Sequence, residues 1–200
     1  TIPNFHNTRS RIAVLMRHIN EDPCGRVNEV LPEIEKIKQL KPIAVRLNEL
    51  IDSEEIPYRV TPNDTKINNV LFDKTTGEAK TVIDLDTVMP GLAVHDFGDA
   101  VRFVANTAAE DESELSKCSF DIKKFRAFAE GFLAMTAKTL TENEIDTLAL
   151  SCFVLTVELS TRFLADYIDG DHYFTCYRNG QNLDRCRTQF KMVADMEGKW

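Results

Sequence analysis

These 200 residues predict a mainly α protein with a small β-hairpin. Two observations carry that reading. Apolar residues recur at three- and four-residue spacings through most of the chain, which is the pattern of amphipathic helices. Two short apolar runs, residues 70–72 and 80–83, flank the turn-rich string Asp73-Lys74-Thr75-Thr76-Gly77-Glu78, which is the pattern of a hairpin. A hydrophobic content of 43% over this length supplies one core, burying roughly 70% of the unfolded surface, so a single domain is expected.

Taken in order, residues 8–19, 26–40 and 41–51 read as three helices leading to a loop near position 61. Glu33, Glu35, Lys36 and Lys38 fall on a charged face of the second, read as solvated. Residues 96–106 read as a short helix, whose Arg102 is placed either to approach a phosphate or sugar or to pair with Asp99. Residues 107–119, with Ala109-Glu110-Asp111-Glu112-Ser113-Glu114, are acidic and poor in large apolar side chains, and are expected to form an exposed, mobile loop. Asp121 caps a helix running to about residue 140, and Thr141 with Glu144 makes a capping box for the next. Residues 145–167 are apolar enough for a central helix, on which spacing alone pairs Arg162 with Glu158, four residues earlier. Asp169-Gly170 reads as a turn, and the aromatics around it suit a packed turn as well as a sugar face. Residues 182–196 form a last helix, with Arg185, Arg187 and Lys191 as a solvated basic stripe.

Composition narrows the partners. A formal net charge of -8 argues against nucleic acid and anionic membranes, both of which require basic surface. No run approaches the ~18 apolar residues of a membrane span, and no signal segment opens the chain, so no membrane is expected. The five cysteines, Cys24, Cys118, Cys152, Cys176 and Cys186, are odd in number and lack a C-x-x-C pair, which suits reduced thiols and a cytoplasmic location. Cys152 reads as a small core hydrophobe. The histidines do not cluster with the cysteines, so zinc is not expected, and His95 reads as a loop support.

The chemistry concentrates in residues 63–86. Asp64 is followed five positions later by Asn69, and the hairpin returns Asp84 and Asp86. A carboxylate, an amide and a second carboxylate in that order are the catalytic-base and magnesium-ligand arrangement of protein-kinase-like phosphoryl transfer. Strand alternation would put Asp84 and Asp86 on one face and send Ile83 and Leu85 into the core. Asn69 and Asp84 then offer Mg2+ the oxygen ligands it prefers, with Asp86 as a further or outer ligand. Asp64, on the loop before the hairpin, is left to orient an attacking hydroxyl and take its proton, and Lys66 to reach the moving phosphoryl group. Taken alone, Asp-Thr-Lys suits a turn and Asn-Asn a cap, and an isolated D-x-x-x-x-N is more often coincidence than catalysis.

Five strings then resemble one family: Thr1-Ile2-Pro3-Asn4-Phe5-His6-Asn7-Thr8, residues 63–69, Asp84-Leu85-Asp86-Thr87-Val88-Met89-Pro90-Gly91, Asp96-Phe97-Gly98-Asp99-Ala100 and Asn182-Leu183-Asp184-Arg185-Cys186-Arg187-Thr188-Gln189-Phe190. They are similar to the N-acetylhexosamine 1-kinases, in the aminoglycoside phosphotransferase and choline kinase superfamily. The resemblance implies the C-terminal lobe of the protein-kinase-like (aminoglycoside phosphotransferase) fold, with Mg2+ and ATP, transferring phosphate to the anomeric hydroxyl of an amino sugar. It implies Asp64 as base, Asn69 and Asp84 on the metal, Arg162 and Tyr173 on the sugar, and Asp96 as a buried brace of the catalytic loop. Residues 1–60 would then be leading helices, 61–106 the catalytic and metal loops with the hairpin, and 107–200 the helical acceptor-binding part. Pro62 stands where the family's motif opens with His, which bears on loop geometry. No G-x-G-x-x-G or G-x-x-x-x-G-K-[ST] occurs, so the N-terminal nucleotide lobe is expected to be a missing partner, leaving the lobe inactive or weakly active alone. A kinase of the same superfamily for choline, an aminoglycoside or another sugar, and a non-catalytic sugar-binding lobe, are the alternatives.

Overall fold

The computed structural model describes residues 1–199. Among them the chain forms eight α-helices and two small antiparallel sheets. Helices α1 (Thr8–Glu21), α2 (Leu31–Ala44) and α3 (Arg46–Asp52) come first, then strands β1 (Arg59–Thr61), β2 (Val70–Phe72), β3 (Ala79–Val82) and β4 (Met89–Gly91). Helices α4 (Ala93–Val104), α5 (Ile122–Thr136), α6 (Glu142–Asp146), α7 (Leu148–Asp169) and α8 (Gln181–Lys199) complete it.

The expected order holds, with boundaries moved for identifiable reasons. Asn7 caps α1 by accepting from the Ser10 amide, and Asp22 closes it in a left-handed conformation. The helix expected over 26–40 begins only at Leu31, after a 3₁₀ turn at Val27–Glu29, and runs on to Ala44, so the third starts at Arg46. Asp121 accepts from the Lys123 and Lys124 amides, and Thr141 and Glu144 form the reciprocal capping box. That box opens only the short α6, and the long helix restarts at Leu148.

Helix α7 is the axis of the fold. Residues from α1 and α2 pack with it in one apolar cluster and residues from α3, α4 and α5 in a second, with α8 contributing to both. Burial on all sides requires its polar groups to be satisfied internally, and they are. Ser151, Thr156, Ser160 and Thr161 donate their hydroxyls to the carbonyls of Leu148, Cys152, Thr156 and Val157. By length and composition α7 is apolar enough to cross a membrane, contrary to the expectation that no run would be; 83% of its apolar window is buried inside the fold, as befits a core helix. Cys152 is buried in that core.

Several surface assignments are corrected. Glu33 is buried and receives the Arg187 Nε–H at 2.7 Å, so Glu33 leaves the solvated face and Arg187, still partly exposed, is held in an ion pair. The segment 107–119 is tied down: Glu110 takes Arg102 at 2.7 Å, Asp111 takes Gln181 at 2.8 Å, and Phe120 bridges to Asn106. Acidic composition marks it as polar, and its partners Arg102 and Gln181 lie outside the i,i+3 and i,i+4 spacings by which a helical pair is read.

Candidate active site

The loop that carries Asp64 runs from β1 to β2, from one sheet to the other. Antiparallel pairing of β1 with β4 sets Thr61 opposite Met89, so the chain leaving β1 runs beside the chain entering β4. The second sheet is the predicted hairpin, Val70 opposite Val82 and Leu71 opposite Thr81. The β1–β4 pair was not foreseen, since three-residue strands, one containing Pro90, carry no alternating pattern.

Asn63 is the clamp of this loop. It is buried, adopts a left-handed φ of 62°, and donates its side-chain amide to the carbonyls of Thr61 (2.8 Å), Thr87 (3.1 Å) and Met89 (3.3 Å). Gly91 leaves the room for it, because a Cβ there would lie 2.2 Å from Asn63 Oδ1. Asp96, in the first turn of α4, accepts the Asn63 backbone N–H at 2.8 Å, and its own carbonyl accepts the Thr65 hydroxyl at 2.6 Å. Pro62 contributes its carbonyl, which accepts the Thr87 hydroxyl at 2.6 Å. Burial pushes the Asp96 carboxyl up to about 7, against the opposing pull of the Asn63 amide and His6.

Asp64 follows directly. Its side chain is 24% exposed, with Lys66 Nζ at 3.5 Å, and its carbonyl accepts the Asn69 side-chain amide at 2.9 Å. That bond spends the Asn69 nitrogen and leaves its carbonyl oxygen as a ligand atom. Asp84 comes alongside because the Ile83 N–H donates to the Asn69 carbonyl at 2.9 Å.

Strand alternation does not extend to Asp84 and Asp86. Strand β3 ends at Val82, and Asp84 takes a left-handed φ of 59°, which breaks the alternation. Ile83 and Leu85 are 42% and 54% exposed and do not enter the core, since no layer of the described residues covers the hairpin. Asp84 and Asp86 are exposed, with no ion pair or side-chain hydrogen bond among the described residues. A left-handed non-glycine residue costs strain that is usually retained for function. The donor set is one amide oxygen and two accessible carboxylates, an all-oxygen set that fits a magnesium ion keeping water and phosphate ligands. No group of three Asp, Glu, His or Cys side chains suited to a metal occurs among the described residues, so nothing resembles a closed protein cage.

The other wall is built by α7 and the turn after it. Gly170 ends α7 at φ 110°, and Asp166 accepts the Tyr173 and Phe174 amides at 2.8 and 3.0 Å and the Asn182 side chain at 2.7 Å. This sets the aromatics beside Arg162, which donates to the Tyr173 hydroxyl at 3.1 Å and lies over the Tyr173 and Phe174 rings. The Arg162–Glu158 pair suggested by spacing does not form. Glu158 is fully buried and bonds instead to His6 at 3.0 Å and Thr8 at 2.7 Å. Arg102, left open between ligand and ion pair, is buried against Asp99 and Glu110. Arg185, taken as solvated, lies over Phe163.

Both walls face one cavity of about 380 Å³, lined by Asp64 and Lys66 on one side and by Arg162, Tyr173, Tyr177 and Arg185 on the other. Asn69, Asp84 and Asp86 lie outside its lining, toward the hairpin.

A family model described as phosphotransferase enzyme family (APH) matches residues 2–128. The chain belongs to this family. Its kinases generally use ATP and Mg2+, which agrees with the oxygen donors of the hairpin loops. The span that matches this phosphotransferase family contains Asp64, Lys66, Asn69, Asp84, Asp86 and Asp96, and ends before Arg162 and Tyr173. Reasoning from sequence overlooked His6, whose ring is buried between Glu158 and the Asn63 carbonyl at 2.8 Å. Its partners lie 57 and 152 positions away, beyond any local pattern.

Proposed function

We propose that this chain is the acceptor-binding, C-terminal lobe of a sugar 1-kinase, transferring the terminal phosphoryl group of ATP to the anomeric hydroxyl of an N-acetylhexosamine. One observation carries the reading: a single cavity has Asp64 and Lys66 on one wall and Arg162 and Tyr173 on the other. An acceptor stacked on Tyr173 and hydrogen-bonded by Arg162 would present its hydroxyl to Asp64. The anomeric oxygen bonds to the γ-phosphorus, the bond from that phosphorus to the β,γ-bridging oxygen breaks, and ADP leaves. The hydroxyl proton passes to the Asp64 carboxylate, and the Lys66 ammonium, 3.5 Å from that carboxylate, offsets charge on the transferring group. Asn69 and Asp84, with Asp86 beside them, would hold the magnesium that shields the phosphate oxygens. The exposed apolar side chains of the hairpin loops, Ile83 and Leu85 among them, suit cover by an N-terminal nucleotide lobe of the same protein. We place the protein in the cytoplasm, where its free cysteines would stay reduced.

Because the family match stops before the acceptor wall, a kinase for another small molecule is the competing reading. An acceptor panel decides between them, using N-acetylglucosamine, N-acetylgalactosamine, choline and an aminoglycoside with magnesium ATP. In a longer chain that includes the nucleotide lobe, the proposal expects turnover with an N-acetylhexosamine, and Arg162→Ala to raise the KM for that sugar more than the KM for ATP. Loss of a hydrogen bond to a charged group corresponds to about 1.5–3 kcal/mol, roughly 10- to 150-fold. Turnover with choline or the aminoglycoside alone would replace it.

A further inference from the structure

His6 is not part of the proposed chemistry, yet it touches the peptide that carries it. The carbonyl of Asn63 belongs to the planar peptide unit joining Asn63 to Asp64, so whatever orients that carbonyl also sets the backbone of Asp64. Three sides of Asn63 are already held, by Asp96 on its amide, by three carbonyls on its side chain, and by its left-handed φ. The fourth, the carbonyl, is taken by His6 Nε2 at 2.8 Å.

The other ring nitrogen, Nδ1, faces Glu158 Oε1 at 3.0 Å, and Glu158 Oε2 accepts the Thr8 hydroxyl at 2.7 Å. The His6 and Glu158 side chains are 6% and 0% exposed. With Glu158 ionised, as the groups around it favour, both ring nitrogens meet oxygen acceptors, a pattern that the doubly protonated imidazole satisfies. A buried carboxylate needs a charged partner, and the imidazolium supplies it.

We propose that His6 is a positioning residue for phosphoryl transfer: paired with Glu158, its ring donates from both nitrogens and holds the Asn63–Asp64 peptide so that the Asp64 carboxylate faces the acceptor pocket. This rests on the reading of Asp64 as the base. The link spans the fold, from the entry to α1 through the core helix α7 to the loop after β1.

The charge state follows from the groups around the ring. Glu158 faces it from α7, and His95, Asp96 and Asp99 face it from α4. Burial opposes charging His6, but the hydrogen bond and charge of Glu158, helped by the Asn63 carbonyl and Asp99, hold it above its ordinary value. His95, its ring 5.1 Å from that of His6, is held down to about 3 by burial and by the His6 charge, so it stays neutral and does not compete for Glu158. Glu158 is drawn down to about 2, its burial outweighed by the hydrogen bond and charge of His6 and by the Thr8 hydroxyl.

The test reads the loop without needing turnover. Ring nitrogen-15 NMR of the wild-type chain at pH 6 should show His6 protonated at both nitrogens. Amide exchange over a pH series should show protection at Asn63 and Asn69 falling about tenfold as that ring loses its proton, while α5 keeps its protection. His6→Gln, which cannot donate in both directions, should show the same loss already at pH 6. A ring carrying one proton at pH 6, or loop protection unchanged through the His6 titration, overturns the proposal; the wild-type series decides even where the variant does not fold. In a chain that turns over N-acetylglucosamine with magnesium ATP, His6→Gln should lower kcat about tenfold with both KM values unchanged. Absence of sugar phosphate from the wild type would count against the sugar-kinase reading, and the exchange data would still decide the role of His6.

Discussion

Replacing Gly98 by Ala tests the contact that seats the loop-bearing helix on the core. Gly98 lies on α4 where it crosses α7, and a Cβ added there would sit 2.5 Å from the Ser151 carbonyl oxygen and 2.7 Å from its carbonyl carbon. Two effects oppose each other. Alanine is the better helix former by roughly 1 kcal/mol, which favours the variant. The clash is with backbone on the central helix, so no rotamer change relieves it, and the two helices must part by about 1 Å; overpacking of this kind costs about 1–3 kcal/mol, occasionally more. Backbone contact puts the cost at the upper end, and the net expectation is a loss of about 2 kcal/mol. Because α4 carries Asp96, the same shift lengthens the bond to the Asn63 amide. Urea unfolding followed by circular dichroism measures it, with Gly131→Ala on α5 as control. A Cβ at Gly131 meets nothing within 4 Å, so that variant should gain up to about 1 kcal/mol. A Gly98→Ala chain as stable as wild type would refute the packing argument.

Further outcomes follow from individual contacts. Arg59 donates twice to Glu144, whose side chain it covers, so Arg59→Ala leaves that carboxylate with only the Thr141 amide and should cost about 1–2 kcal/mol in urea unfolding, discounted for solvent because the arginine is partly exposed; a change under about 0.5 kcal/mol would contradict it. Asp84→Ala should weaken magnesium-nucleotide binding with the fold intact, and an unchanged magnesium dependence would remove Asp84 from the metal set. For Asp96, the folded pKa of about 7 lies above the unfolded 3.8, so the native chain keeps a proton the unfolded chain releases. Its contribution is therefore present on the acid side and lost as pH rises between those values, at up to about 1.4 kcal/mol per pH unit. His95 slopes the other way: as pH falls from 6.5 toward 3, the unfolded chain takes a proton that the buried ring refuses, and stability is lost toward acid. Asp96→Asn should remove the first slope, so its stability relative to wild type grows from pH 4 to pH 7; a constant difference would contradict the assignment.

What could be read in the sequence was what local periodicity and capping encode. The helix order, the Thr141–Glu144 box, the Asp121 cap and the 70–83 hairpin are all short-range, and all are present. The family resemblance pointed to the loop after β1, where Asp96 accepts the Asn63 amide. The failures share a cause. Ile83 and Leu85 were sent inward by strand alternation, yet alternation buries a face only where a second layer exists. Glu158 was paired with its near neighbour Arg162, whereas its partner His6 lies 152 residues away. Glu33 and Arg187 read as solvent-facing because 154 residues separate them, and Asp111 because Gln181 is 70 away, whereas Glu110 pairs with Arg102 eight positions back, outside the helical i,i+3 and i,i+4 spacings. Exposed polar composition and buried long-range pairing look alike in one dimension.

The most direct test of the central claim is phosphorus NMR of magnesium ATP with N-acetylglucosamine or N-acetylgalactosamine. It should be run on the 200-residue chain and on a longer chain that includes a nucleotide lobe, each with and without Asp64→Asn. The account predicts an anomeric sugar phosphate from the longer chain, little or none from the lobe alone, and none from Asp64→Asn, which should fold normally. Sugar phosphate from the Asp64→Asn chain would remove Asp64 as the base, and its absence from every chain would contradict the sugar-kinase account.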